Sequence, residues 1–211
     1  MSNNRKLDLL VTGFGPFPGV RINPTTRLAR LVAARLRHSG LRIGTAILET
    51  SYAAGLPALG REIDAAGPKA ILLLGLAARA RHVRVELFAR GRSNPLHPDA
   101  TGRTEAGAQR GAGLPKLTTA RPQAALAHLR RFGIRSRLSP SAGRYLCDAS
   151  YATALRHPAM AGRPVLFVHV PWLKPAAGVR PIDRAARFRP RPERLSTALA
   201  AIGRDLAIHG R

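Results

Sequence analysis

The chain alternates short apolar runs with longer amphipathic stretches. Leu7 to Gly13 (LDLLVTG) is an apolar run stopped by glycine, the pattern of a buried strand. In PTTRLARLVAARLRHSG, Leu28, Leu31, Val32 and Leu36 recur at helical spacing; Thr25 or Thr26 can cap the start and Gly40 ends it. LRIGTAILE reads as a second strand and LPALGREIDAAG as a second helix, ending at Gly67. Ala70 to Gly75 (AILLLG) is the most apolar run and predicts the centre of a sheet. Val83 to Ala89 (VRVELFA) alternates, which predicts one more exposed strand.

From Arg90 to about Lys116, Gly, Pro, Asn, Asp and Thr dominate, which predicts a long, partly irregular loop. Beyond it, RPQAALAHLRRFG reads as a helix, IRSRLS as a short strand and YLCDASYATALRH as a helix starting near Cys147. Pro164 to Trp172 (PVLFVHVPW) is another buried strand, KPAAGVRPIDRAARFRP a second irregular loop, and RPERLSTALAAIGRDLAIHG a closing helix with Leu195, Leu199, Ile202 and Leu206 on one face. Strands alternating with helices imply an α/β fold: an open, twisted, mostly parallel sheet with helices on both faces. The 211 residues carry no internal repeat or linker, so one domain over 1–211 is expected.

Charge changes the picture only a little. Lys and Arg number 35 against 11 Asp and Glu, a formal charge of +24. Such a field attracts polyanions. Yet the excess is nearly all arginine, spread along the chain without a basic block, and three tyrosines and one tryptophan offer few rings for base stacking. Nucleic acid is therefore not expected as the main partner. No apolar run is long enough to span a membrane, and the N-terminus lacks the pattern of a signal peptide. A cytoplasmic protein is expected.

The single cysteine, Cys147, excludes an intramolecular disulfide and a thiolate-rich zinc site. It is either a small buried hydrophobe or a nucleophile. Its position decides what it could do. A turn, Ser-Pro-Ser-Ala-Gly, precedes it and a helix begins at it, so the helix dipole and unpaired backbone N–H groups favour a thiolate and could receive an oxyanion. In α/β sheets, sites form where strands give way to loops. His169, late in VLFVHV, and Glu86, in VRVELFA, suit that edge as base and orienting carboxylate. Each also has a plain alternative: a core histidine bonded to a carbonyl, and a strand glutamate paired with an arginine.

The stretch Ser139-Pro-Ser-Ala-Gly-Arg-Tyr-Leu-Cys-Asp148 resembles the cysteine signature of type I pyroglutamyl peptidases (pyrrolidone-carboxylate peptidases). VTGFGPFPGVRINPT is similar to that family's Thr-Gly-Phe-x-Pro-Phe-Gly-Gly…Asn-Pro opening, LFVHVPWLKP resembles its segment around the general base, and Glu86 falls where the family has its catalytic glutamate. The resemblance implies a cysteine exopeptidase that removes N-terminal pyroglutamyl (5-oxoproline) residues from peptides through a thioester. Cys147 would be nucleophile, His169 base and then acid, and no cofactor would be needed. It implies an apolar pocket for the lactam ring, held by Phe14 and Phe17 and joined by Tyr145, with Asn23 and Thr50 nearby. It also implies a homo-oligomer, tetramer or dimer.

The chain departs from the family pattern in one half of the site. Leu76 stands where the family has glutamine, Arg84 where it has Ser or Thr, and Leu96 where it has an arginine suited to oxyanion stabilisation. Lost polar partners imply altered substrate preference. Arg84, Arg90 and Arg92 are candidates for the missing cation. Two other readings follow from the same residues: a family member that binds a ligand without peptidase activity, and a basic nucleic-acid-binding protein on this fold.

Overall fold

The computed structural model describes residues 6–104, 114–175 and 189–209. Six strands form the main sheet in the order β2-β1-β3-β8-β4-β7: β1 (Leu9–Phe14), β2 (Ile43–Leu48), β3 (Ile71–Leu76), β4 (Val83–Glu86), β7 (Ser136–Ser139) and β8 (Val165–Val170). The strands β1, β2, β3 and β8 run parallel. The helices are α1 (Pro24–Arg37), α2 (Tyr52–Ala66), α3 (Pro122–Arg131), α4 (Leu146–Arg156) and α5 (Pro192–His209), with a 3₁₀ turn at Pro158–Met160.

The near-continuous apolar strands follow from this layering. Alternate side chains of a strand face opposite sides, and both sides are covered. On one face Leu9, Val11, Leu72, Leu74, Val168 and Val170 pack against residues of α1, α3 and α5. On the other, Leu10, Ile71, Leu73, Val165 and Phe167 pack against α2 and α4. At the end of the sheet away from the strand C-termini, Asp8 accepts from the Arg42 backbone N–H and guanidinium and pairs with Lys69 at 2.9 Å. Hydrogen bonding from Arg42 and the Lys69 charge hold the Asp8 carboxyl well below the usual carboxylate range.

Four expectations need correction. The cap of α1 is Asn23, whose side chain accepts from Thr25 N–H, and Pro24 opens the helix; proline's missing donor costs nothing at that position. Helix α2 starts at Tyr52, capped by Ser51, well before the expected LPALG segment, and carries Pro57 as its sixth residue, which forgoes the bond to the Ala53 carbonyl. It ends as read, at Gly67, in a left-handed conformation (φ 50°) that suits glycine.

The segment 83–89 is two strands. Strand β4 is antiparallel to β8 and parallel to β7, while β5 (Phe88–Ala89) leaves the main sheet to pair with β6 (Lys116–Leu117). Far from being a more exposed strand, β4 is central: Val83, Val85 and Glu86 are fully buried. Its alternation reflects one apolar and one functional face. Of the long loop after β5, residues 90–104 carry no helix or strand; residues 105–113 and most of the second irregular loop, 176–188, lie outside the described residues.

Candidate active site

Cys147 is the second residue of α4, whose first turn lies over β3. Among the described residues no side chain caps this helix and no carbonyl accepts from the N–H groups of Leu146 and Cys147 at its N-terminus. The sulfur rests against Gly75, where a Cβ would stand 3.0 Å from Sγ and 2.6 Å from the Phe167 ring. Any side chain at 75 would displace one or the other.

Gly75 pairs with His169 across β3 and β8. The imidazole is almost fully buried, its ring 4.7 Å from that of Phe167. Its Nδ1 lies 2.8 Å from Glu86 Oε1. A carboxylate oxygen accepts, so Nδ1–H donates and Nε2 is the nitrogen left for the sulfur. Burial works against charge on His169, but the Cys147 sulfur, as neighbouring charge and hydrogen-bond partner, and the Glu86 carboxylate outweigh it and push the imidazole up to about 9.

Glu86 reaches His169 because β4 is antiparallel to β8. Its register partner is Phe167, so Glu86, Phe167 and His169 share the α4 face of the sheet. The glutamate is fully buried, Tyr151 Oη donates to its backbone carbonyl, and its Oε2 has no hydrogen-bond partner among the described residues. The three residues expected to work together are thus brought together.

Beside the cysteine, on the β1 side of β3, a cavity of about 300 Å³ is lined by Phe17, Pro18, His97, Pro98 and Tyr145. Phe17 and Tyr145 have ring centroids 6.3 Å apart, and Tyr52 meets Tyr145 edge-on at 6.1 Å. Tyr145 Oη donates to the Pro98 carbonyl. Burial first, then the Asp99 and Cys147 charges, push its hydroxyl up to about 12, so it stays neutral. The other expected pocket residues sit behind this wall. Phe14 is buried in the core of the α4 face. Asn23 donates to the Gly15 carbonyl and accepts from Thr25, and Thr50 donates to the same carbonyl; the polar groups of both are spent shaping the loop that presents Phe17.

Two buried aspartates missed in the sequence hold the opposite wall. Asp148, next to the cysteine, accepts from the N–H groups of Arg90 and Arg92. Asp99 accepts from the N–H groups of Tyr52, Thr101 and Arg103. Asp148 is an acid inside an otherwise small or apolar stretch, and Asp99 precedes Thr101 and Gly102 in a turn-rich one. The structure also separates the arginines. Arg90 donates its guanidinium to the Pro140 carbonyl. Arg84 is the register partner of His169 and shares its face. Leu96 is 82% exposed, so the side chain at that position contributes nothing to the site. Among the described residues, no group of three or more His, Cys, Asp or Glu gathers as a metal site would require.

Comparison with known proteins agrees with this arrangement. A family model described as pyroglutamyl peptidase matches residues 7–190. The pyrrolidone-carboxylate peptidase of Deinococcus radiodurans is 33% identical over 181 residues, 83% of each chain. That of Gloeobacter violaceus is 30% identical over 179 residues, 82% of this chain and 84% of its own. Among solved structures, pyrrolidone carboxyl peptidase from Thermus thermophilus superposes with a TM-score of 0.77 at 29% identity, covering 94% of this chain and 99% of that one. Pyroglutamyl peptidase I from Bacillus amyloliquefaciens shares the fold, with a TM-score of 0.82 at 21% identity over 95% of this chain and 97% of its own. With a family model covering most of its length and relatives at this identity, the chain belongs to the pyroglutamyl peptidase family.

Proposed function

We propose that this protein removes N-terminal pyroglutamyl residues from peptides, with Cys147 as nucleophile, His169 as general base and acid, and Glu86 as the residue that orients His169. The observation that carries the proposal is the placement of the sulfur between a ring-lined cavity and a buried imidazole bonded to a buried carboxylate. The lactam ring of the substrate is small, flat and uncharged, and the Phe17–Tyr145 cavity suits such a group.

In the proposed reaction Sγ, with its proton held by His169, attacks the carbonyl carbon that joins the ring to the next residue. The oxygen takes up negative charge facing the N–H groups that open α4. The C–N bond breaks, the leaving amine takes a proton from His169, and a thioester remains on Cys147. Water then attacks the thioester, giving its proton to His169, and pyroglutamate leaves as the thiol re-forms. Glu86 fixes the tautomer and stabilises the imidazolium without itself taking the proton. Homo-oligomerisation stays an expectation. No helix among the described residues is long and apolar enough to cross a membrane.

The pH profile tests the pair. His169 holds its proton more tightly in the folded protein than free histidine does, so its contribution to stability is complete below the ordinary histidine value and is lost as pH rises through about 9. The same deprotonation removes the acid needed by the leaving amine. For a pyroglutamyl anilide or coumarylamide, kcat/KM is expected to fall as pH rises through about 9 in wild type. In Glu86→Gln that limb should move to lower pH, because one source of the upward push is gone. An alkaline limb that stays put in the variant contradicts the assignment.

A further inference from the structure

Neighbouring strands place four residues in one row across the α4 face of the sheet. Gly75 on β3, with the Cys147 sulfur above it, pairs with His169 on β8. His169 pairs with Arg84 on β4, and Arg84 with Arg137 on β7. Strands in a sheet are about 5 Å apart, so Arg84 starts about 5 Å beyond the imidazole and Arg137 about 10 Å beyond it.

The order of this row has a chemical meaning. The ring cavity lies on the β1 side of the sulfur. His169 lies on the other side. A general acid must stand within hydrogen-bond reach of the nitrogen it protonates, so the leaving peptide departs over His169. The next groups it meets are guanidiniums.

These cations lack acidic partners. Among the described residues, neither Arg84, Arg130 nor Arg137 takes part in an ion pair. Among the described residues the Arg84 Nε is buried with no hydrogen-bond partner, as is Nε2 of His82, two residues earlier. Glu86, two residues along the strand from Arg84, is engaged by His169. Arg137, at the outer end of the row, lines a cavity of about 330 Å³ together with His82, Arg130, Ile134, Arg135 and Ser136; Arg84 is not part of that lining. Burial, and then the charges of Arg137, Arg84 and Arg135, hold His82 below its ordinary value, which shows that these cations converge on one place. Charged side chains protect a sheet edge such as β7 from pairing with other chains, but that does not account for a half-buried arginine on central β4. A buried guanidinium nitrogen without an acceptor awaits one.

Resting on the function proposed above, we infer that Arg84 and Arg137 form the leaving-group subsite and select pyroglutamyl peptides that carry a carboxylate within the first two residues after the pyroglutamyl group. An extended peptide advances about 3.3 Å per residue, so a carboxylate at either position falls within the span of the two guanidiniums. The carboxylate has two sources: an Asp or Glu side chain, or the free C-terminus of a very short peptide.

Four peptides separate these sources: pGlu-Glu-amide against pGlu-Gln-amide, and pGlu-Ala with a free C-terminus against pGlu-Ala-amide. In wild type at low salt, at least one carboxylate-bearing member of the two pairs is expected to show about tenfold higher kcat/KM than its neutral partner, the size of a charge-assisted hydrogen bond. Added salt should shrink the advantage. Arg84→Gln should reduce the ratio toward unity. Arg137→Glu, on the exposed edge strand where folding is not at risk, should invert it and favour pGlu-Lys-amide. Equal rates within both pairs in wild type, or ratios unchanged in both variants, overturn the inference while leaving the peptidase reading standing. No hydrolysis of any pyroglutamyl amide overturns both.

Discussion

Alanine in place of Cys147 is expected to abolish hydrolysis of a pyroglutamyl amide, a loss on the order of 10⁴-fold or more in kcat. Two structural facts make the result clean. The chain has one thiol, so no neighbouring cysteine can substitute. The side chain is small and partly exposed, so truncation removes little packing and the variant should melt within a few degrees of wild type. The measurement is steady-state turnover of a fluorogenic pyroglutamyl amide beside a thermal melt of the same preparation. What survives without the sulfur would be the ring pocket and the N–H groups of α4, so binding of substrate should persist while turnover does not. Persistence of turnover would remove the nucleophile from the mechanism.

The second large effect is expected from Glu86→Gln. Glutamine has the shape of glutamate but presents an amide, so Nδ1–H of His169 loses a charged acceptor or meets a donor. The imidazolium that pairs with the sulfur and protonates the leaving amine then loses its counter-charge. We expect kcat to fall by about 10²- to 10⁴-fold with KM changed little. Stability should fall as well, in a defined pH range: Glu86 is one source of the raised His169 value, so its loss costs stability where His169 is protonated and little above about pH 9. Lost turnover per folded molecule identifies a residue kept for chemistry. A variant that melts early with turnover per folded molecule intact identifies a structural one.

How much of this was legible in the sequence depended on whether local pattern or tertiary pairing decided the matter. The apolar runs around Leu9–Phe14, Ile71–Leu76 and Val165–Val170 announced buried parallel strands because nothing but burial on both faces explains them. The junction before Cys147 announced a helix N-terminus by its turn residues. By contrast, nothing local in VRVELFA distinguishes a surface strand from a central one: the direction of β4 and its neighbours are set by long-range pairing with β8 and β7. That same pairing turned Glu86 from a candidate into a neighbour of His169, and it placed Arg84 rather than Arg90 beside the imidazole. Asn23 also caps α1, a role that was missed because the periodic pattern of α1 shows where its apolar face lies but not which polar residue turns back on the first N–H groups. The aspartates 99 and 148 escaped notice for a related reason. The partners of Asp148, and Tyr52 among those of Asp99, are backbone N–H groups far away in sequence, which no spacing rule reveals.

The most direct measurement is stoichiometric alkylation of the chain with iodoacetamide, followed by mass and by turnover of a pyroglutamyl amide, with and without 2-pyrrolidone as a mimic of the substrate ring. Activity is expected to vanish in proportion to a single label located on Cys147, and the lactam should slow both losses equally by filling the Phe17–Tyr145 cavity. A fully labelled protein that still turns over substrate, or labelling that the lactam leaves untouched, would contradict a thiol nucleophile seated beside a ring-binding pocket.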